Sequence, residues 1–182
     1  MGTKPHWGLG WLIAFLGFPI GGALAVALIA RLETPLDGII GGAVAGLVIG
    51  AAQWLALRRR LPLGWTWPVA TAASMALGLA LGVLLFGADT TIEATLLRAI
   101  PAGLLIGVAQ AWLLRPHARS AALWAIAVPL LYVAAWFITA QVIGGSLNIG
   151  FVVFGASGAI AFQALTGVVL WGLLRLDRRA AA

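Results

Sequence analysis

The chain has 182 residues, of which 63% are hydrophobic and only 9% charged, with a net charge of +6 and no cysteine. A soluble domain carries about 25% charged residues, so this composition excludes a water-soluble globule; the lack of cysteine excludes disulfides, thiolate metal sites and cysteine nucleophiles. The hydrophobic residues fall in blocks of about 20, enough helix to cross a hydrocarbon core of about 30 Å, and the expected fold class is all-α, a polytopic integral membrane protein with six transmembrane helices.

The first span covers about 7–30. It is longer than the apolar region of a cleaved signal peptide and is expected to stay in the membrane. The second, about 36–57, opens with Thr34-Pro35, where proline suits the first turn. It carries Gly38, Gly42, Gly46 and Gly50 at four-residue intervals, then Gln53, Trp54 and Arg58. The third covers about 64–87. The fourth, about 95–114, follows Thr90 and Glu93, which have capping-box spacing, and holds Arg98, Ala99, Pro101, Gly103, Gly107, Gln110, Ala111, Trp112 and then Arg115. The fifth covers about 120–141. The sixth, about 150–174, holds Gly155, Ala159, Gln163, Gly167 and Trp171, with Arg175 just beyond.

Aligning Arg58 with Arg115, 57 positions on, brings Gly46 onto Gly103, Gly50 onto Gly107 and Gln53 onto Gln110. Aligning Arg175 with them puts Gly167 in the Gly50/Gly107 column and Gln163 in the Gly46/Gly103 column. The odd-numbered spans echo each other more faintly: Gly17 and Gly21 match Ser74 and Gly78, and Trp67 matches Trp124. The repeating unit reads as a helical hairpin, at about 7–60, 64–117 and 120–178, within a single membrane domain, 1–182. Three hairpins entering from the same side are expected to pack around a pseudo-threefold axis normal to the membrane, as parallel repeats do in some transporters. The repeated GxxxGxxQWxxLR-like phrase resembles one in small uncharacterised bacterial multi-pass membrane proteins, a resemblance that brings no activity with it.

In lipid, helices associate through close backbone approach, which small residues permit. The glycine stripes therefore predict tight packing and put the even-numbered spans innermost. Lys4, Arg58, Arg59, Arg60, Arg115, Arg119, Arg175, Arg178 and Arg179 fall on one side of the six-span layout; Arg31, Arg98, Glu33, Asp37, Asp89 and Glu93 fall on the other. The positive-inside rule then places both termini in the cytoplasm and the protein in the inner (cytoplasmic) membrane. The basic balance reads as topology and attraction to membrane lipids with anionic headgroups, and no nucleic acid partner is expected, because no groove-reading motif is present. Trp7, Trp11, Trp54, Trp65, Trp67, Trp112, Trp124 and Trp171 all fall near the basic span ends, and Trp136 does not. The indole favours the headgroup zone, so these residues are expected to anchor the interface, with Trp54, Trp112 and Trp171 beside Arg58, Arg115 and Arg175. A sharper reading is a docking surface for a partner.

Gln53 and Gln110 precede their arginines by five residues, about 7.5 Å along a helix, toward the cytoplasmic third. Gln163 is expected near mid-membrane. Such amides read as interhelical glue, or as a polar lining for a small solute or contacts to a lipid, quinone or pigment. Arg98 is the one ionisable group expected within a span, about 12 Å into a helix that starts near Thr90. It is expected to snorkel outward and pair with Glu93, Glu33 or Asp37, or to bind an anionic headgroup or solute. The only histidines, His6 and His117, lie near the cytoplasmic edge, which argues against a buried proton relay and against haem held by two mid-span histidines. No metal site or cofactor is expected. GASGAI, from Gly155 to Ile160, resembles the GxSG motif of rhomboid proteases, with Ser157 as the nucleophile; no histidine follows His117, and a serine without a base is not activated. The leading expectation is a non-enzymatic membrane subunit or scaffold holding lipid, a pigment, a partner membrane protein or a second copy of itself. The alternative is a small-solute transporter or channel with the three glutamines around a central path.

Overall fold

The computed structural model describes residues 6–118, 120–143 and 155–180. They form α1 (His6–Ile13), α2 (Gly17–Ile29), α3 (Pro35–Leu57), α4 (Thr66–Phe86), α5 (Ile92–Leu114), α6 (Ala121–Ile143) and α7 (Ala156–Ala180). Six stretches are long and apolar enough to cross a membrane: Gly8–Ile29, Pro35–Leu57, Thr66–Phe86, Ile92–Leu114, Ala121–Ile143 and Ala156–Leu176. The multi-pass, all-helical class follows, with no strand among the described residues. Lys4, Arg119 and the link and span start at 144–154 lie outside the described residues, as do the side chains of His6, Trp7, Arg178 and Arg179.

The first span is not one smooth helix. A 3-10 turn at Ala14–Leu16 joins α1 to α2. Pro19, one turn on, has no N–H for the carbonyl of Phe15, and a missing rung favours such a local tightening. Two helix starts, those of α3 and α5, are set by side chains. Thr34 caps α3: its Oγ1 accepts the Asp37 N–H at 3.2 Å, and the Asp37 carboxylate accepts the Thr34 N–H at 2.7 Å. That is a reciprocal capping box with Pro35 in the first turn. α5 departs from expectation by one residue. Its cap is Thr91, whose Oγ1 accepts the Ala94 N–H at 3.3 Å. The Asp89 carboxylate accepts the Thr91 N–H at 3.0 Å; this holds Thr91 outside the helix and displaces the Thr90/Glu93 pairing.

Each helix packs on its neighbours in the chain, and α7 returns against α1 and α2. The seam between α3 and α4 is the most regular. A methyl group on Gly38, Gly42, Gly46 or Gly50 would stand 2.6, 2.7, 2.8 or 2.7 Å from backbone atoms of Ala80, Ala76, Ala72 and Pro68 respectively. Four residues forward on α3 is four residues back on α4, so two antiparallel backbones touch along the whole stripe. The pattern continues round the bundle: Gly17 and Gly21 face α3, Gly82 meets the Arg98 carbonyl, and Gly103 and Gly107 meet Pro129 of α6.

Two expectations need correction. The even-numbered spans are not an inner layer. α3, α5 and α7 do not touch one another through their backbones. Their spans are 39, 39 and 33% buried, no more than the 33, 44 and 39% of the odd-numbered ones. A glycine draws in the helix it faces, and these glycines face sideways. The stripe in α7 is also not a helix–helix seam. A methyl group on Gly155 would meet only the side-chain tips of Ile143 and Thr139, at 3.3 Å, and one on Gly167 would stand 2.7 Å from the Trp11 ring. Gly158, which lies against the Ala135 carbonyl, makes the close contact with α6 instead. With the glycines at the seams, the interior is left to large side chains: Trp11, Phe18, Trp67, Met75, Trp124, Tyr132 and Phe162 are all at most 5% exposed.

Candidate functional site

Three helices bring an amide to the interior of the bundle: α3 with Gln53, α5 with Gln110 and α7 with Gln163, exposed by 3, 2 and 0%. Three others bring an indole: α1 with Trp11, α4 with Trp67 and α6 with Trp124, none more than 1% exposed. They meet in one hydrogen-bonded layer. Trp67 Nε1 donates to Gln53 Oε1 at 3.3 Å, and Trp124 Nε1 donates to Gln110 Oε1 at 3.1 Å. Trp11 Nε1 donates to the backbone carbonyl of Gln163 at 2.9 Å, and Gln163 Nε2 returns a bond to the Trp11 carbonyl at 2.7 Å. Gly167, with no side chain, leaves the slot for the Trp11 ring.

The amides also join one another. Gln110 Nε2 donates to Gln53 Oε1 at 3.4 Å and to Thr71 Oγ1 at 3.0 Å; Gln53 Nε2 donates to Gln163 Oε1 at 3.2 Å. Donors thus point in one direction, from Gln110 to Gln53 to Gln163 to Trp11. Both polar ends of every glutamine side chain are engaged, which is what an amide out of water requires. Ring contacts brace the layer: Trp124 lies 6.2 Å from Trp11, edge-on, and 6.5 Å from Trp67. Beside it, Phe18, Tyr132 and Phe162 stack edge to face at 5.7 and 5.8 Å. Between the two layers lies a cavity of about 10 Å³, touched by Gln53, Gln110, Thr71, Met75 and Tyr132. That is at the lower bound for one water molecule.

Gln163 is not where the repeat alignment put it. Aligning arginines placed it two turns deeper than Gln53 and Gln110, but the three amides share one layer. Twelve residues separate Gln163 from Arg175, against five from Gln53 to Arg58. α7 keys onto Trp11 through its amide, so its basic end projects farther from the layer, by about 10 Å along a helix.

The nine tryptophans divide into groups that composition could not separate. Trp11, Trp67 and Trp124 are interior hydrogen-bond donors, which corrects the reading of them as interface anchors. Trp65, Trp112 and Trp171 stay exposed, by 63, 64 and 44%. Arg115 lies over the Trp112 ring at 3.8 Å, Arg175 over Trp171 at 3.8 Å, and Arg58 over Trp54 at 5.4 Å, with Trp54 and Trp65 stacked at 4.7 Å. The signal that could have revealed the interior set was the fourteen-residue step from Gln53 to Trp67, repeated from Gln110 to Trp124.

Arg98 stands apart from this layer, toward the opposite end of α5. It is 8% exposed, and its guanidinium donates to the Gly87 carbonyl at 3.3 Å and to Thr95 Oγ1 at 3.2 Å. Its partners are thus at the end of α4 and on α5 itself; none of Glu93, Glu33 or Asp37 pairs with it. The described residues hold no cluster of His, Cys, Asp or Glu able to bind a metal ion.

No family model, curated protein or solved structure matches the chain.

Proposed function

We propose that this chain is a non-enzymatic membrane subunit or scaffold, whose interior holds six spans in one arrangement while its outer surface meets lipid, a pigment or a partner membrane protein. The observation that carries this reading is the closed hydrogen bonding of Gln53, Gln110 and Gln163. Their amides bond to each other, to Thr71 and to three tryptophans, and the space beside them is about 10 Å³. A solute path needs polar groups that exchange partners with the solute, and these amides already have theirs.

The same reading includes three hairpins about a pseudo-threefold axis. The equal Gln-to-Trp steps support it, as does the Gln163–Trp11 pairing that joins last span to first. It also includes cytoplasmic termini in the inner membrane. Support comes from the concentration of Arg58–Arg60, Arg115 and Arg175 at one end of the bundle, with Glu33, Asp37, Asp89 and Glu93 at the other.

The test combines native mass spectrometry of the protein in mild detergent with flux measurements in liposomes. A stoichiometric lipid, pigment or protein mass, with no flux above empty liposomes, is the expected result. Solute flux that disappears in a folded Gln110→Leu variant would replace this reading with the transporter.

A further inference from the structure

At the arginine-rich end, two cations are held in place and, among the described residues, have no counter-ion. Arg58 closes α3 and Arg115 closes α5. Each lies over an indole one turn back, at 5.4 and 3.8 Å from the ring centre, within the range of a cation–π contact. Stacking holds a guanidinium by its face and leaves its N–H edge open. Neither guanidinium makes a hydrogen bond or ion pair with any described residue, whereas that of Arg98, at the opposite end, has two acceptors. Four of the five carboxylates stand at that opposite end, Glu33 and Asp37 before and in the first turn of α3, Asp89 and Glu93 around the start of α5. Trp112 is 64% exposed and Trp65 63%, so the open edges lie beside rings on the outer, lipid-facing surface rather than beside the axis.

We propose that these are two binding sites for the phosphate of an anionic phospholipid headgroup: Arg115 on Trp112, and Arg58 on the Trp54–Trp65 pair with exposed Arg59 alongside. The guanidinium edge matches phosphate oxygens in a two-point, charge-assisted geometry. The indole presents its ring to the glycerol and upper acyl region, the depth that tryptophan prefers. Both sites sit five residues, about 7.5 Å, beyond the glutamine layer, so one leaflet reaches both. Arg175 on Trp171 is a similar pair, but its twelve-residue distance from Gln163 carries it beyond that depth. The net positive charge of this end selects an anionic lipid over a zwitterionic one. The inference deepens the scaffold reading by naming an occupant.

The test is native mass spectrometry of the full chain exchanged into phosphatidylglycerol or into phosphatidylcholine of the same acyl chains. Two phosphatidylglycerols are expected to survive activation that strips phosphatidylcholine. Arg115→Gln is expected to reduce the number to one, with affinity at that site down about tenfold or more. Trp112→Leu, which leaves the charge unchanged, is expected to weaken the same site. Arg31→Gln removes an equal charge at the other end and is expected to change nothing. Inorganic phosphate is expected not to displace the lipid. Equal retention of the two lipids, equal effects of Arg115→Gln and Arg31→Gln, or displacement by phosphate would overturn the proposal. Flux through the protein would overturn the scaffold reading without touching these lipid arms, so the two can fail separately.

Discussion

Gln110 shows how much one side chain can hold. Its oxygen accepts from Trp124, and its nitrogen donates to Gln53 and Thr71. Gln110→Leu strands an indole donor and a share of two acceptors at once. Polar contacts between membrane helices are worth about 0.6–1.7 kcal/mol in coupling. A Gln110→Leu/Trp124→Phe double-mutant cycle, followed by detergent-induced unfolding, should return a coupling of that size; zero coupling would mean that the pair does not bond. Arg98 makes a different prediction. Its bond to the Gly87 carbonyl satisfies an acceptor at the C-cap of α4, where the helix dipole also favours a cation. Arg98→Leu should speed hydrogen exchange at the residues around Gly87–Thr91 and leave the amides around the glutamine layer unchanged. An exchange pattern identical to the parent would remove the capping role.

Among the elements, the glycine seam between α3 and α4 offers a matched pair of substitutions. A methyl at Gly42 would stand 2.7 Å from Ala76 Cα, while one at Gly172 would meet nothing within 4 Å. Gly42→Ala should destabilise by about 1–3 kcal/mol through overpacking. Gly172→Ala should stabilise by about 0.5–1 kcal/mol, because alanine is the better helix former. Thermal unfolding of the two variants side by side checks both signs. The stripes were legible in the sequence because lipid rewards one thing, close backbone approach, and glycine at four-residue spacing announces it. Which way the stripes faced was not legible. A stripe shows that a helix approaches something; its position relative to the interior depends on the large residues on the helix's other faces. The same limit applied to the tryptophans. Trp67 and Trp112 both sit near basic span ends, and only the rotation of their helices sends one inward and the other out. The spans themselves were legible to within a few residues, since hydrophobic length alone sets them. The break at Ala14–Leu16 and the one-residue shift of the α5 cap depend on single contacts that no pattern carries.

For the whole molecule, the critical contact is the one between its first and last helices. α7 meets α1 through Gln163, Gly167 and Trp11, so the arrangement closes through a residue that is 1% exposed and bonded twice to α7, donating through its indole N–H and accepting at its backbone carbonyl. Trp11→Ala should cost about 3–5 kcal/mol, the range for large aromatic truncation in a packed core. Trp171→Ala, at a ring 44% exposed, should stay within about 0.5 kcal/mol. If the two variants unfold alike, the ends of the chain are not what closes the bundle.

The regularity of the α3–α4 seam has a further consequence. A stripe that repeats every four residues is nearly degenerate: sliding one helix by a turn, about 6 Å, returns glycine to alanine with three of the four contacts restored. Packing alone therefore distinguishes poorly between neighbouring registers. Gln53 does distinguish, because a slide of that size carries its amide away from the Trp67 indole and from both other glutamines. A buried polar residue that fixes alignment at some expense of stability is known from coiled coils. On this view the glutamine layer acts as a register key, and the glycines supply cohesion without specifying alignment. A Gln53→Leu/Gln110→Leu/Gln163→Leu variant would remain compact and helical but divide among slipped arrangements, visible as multiple indole resonances for each interior tryptophan where the parent shows one.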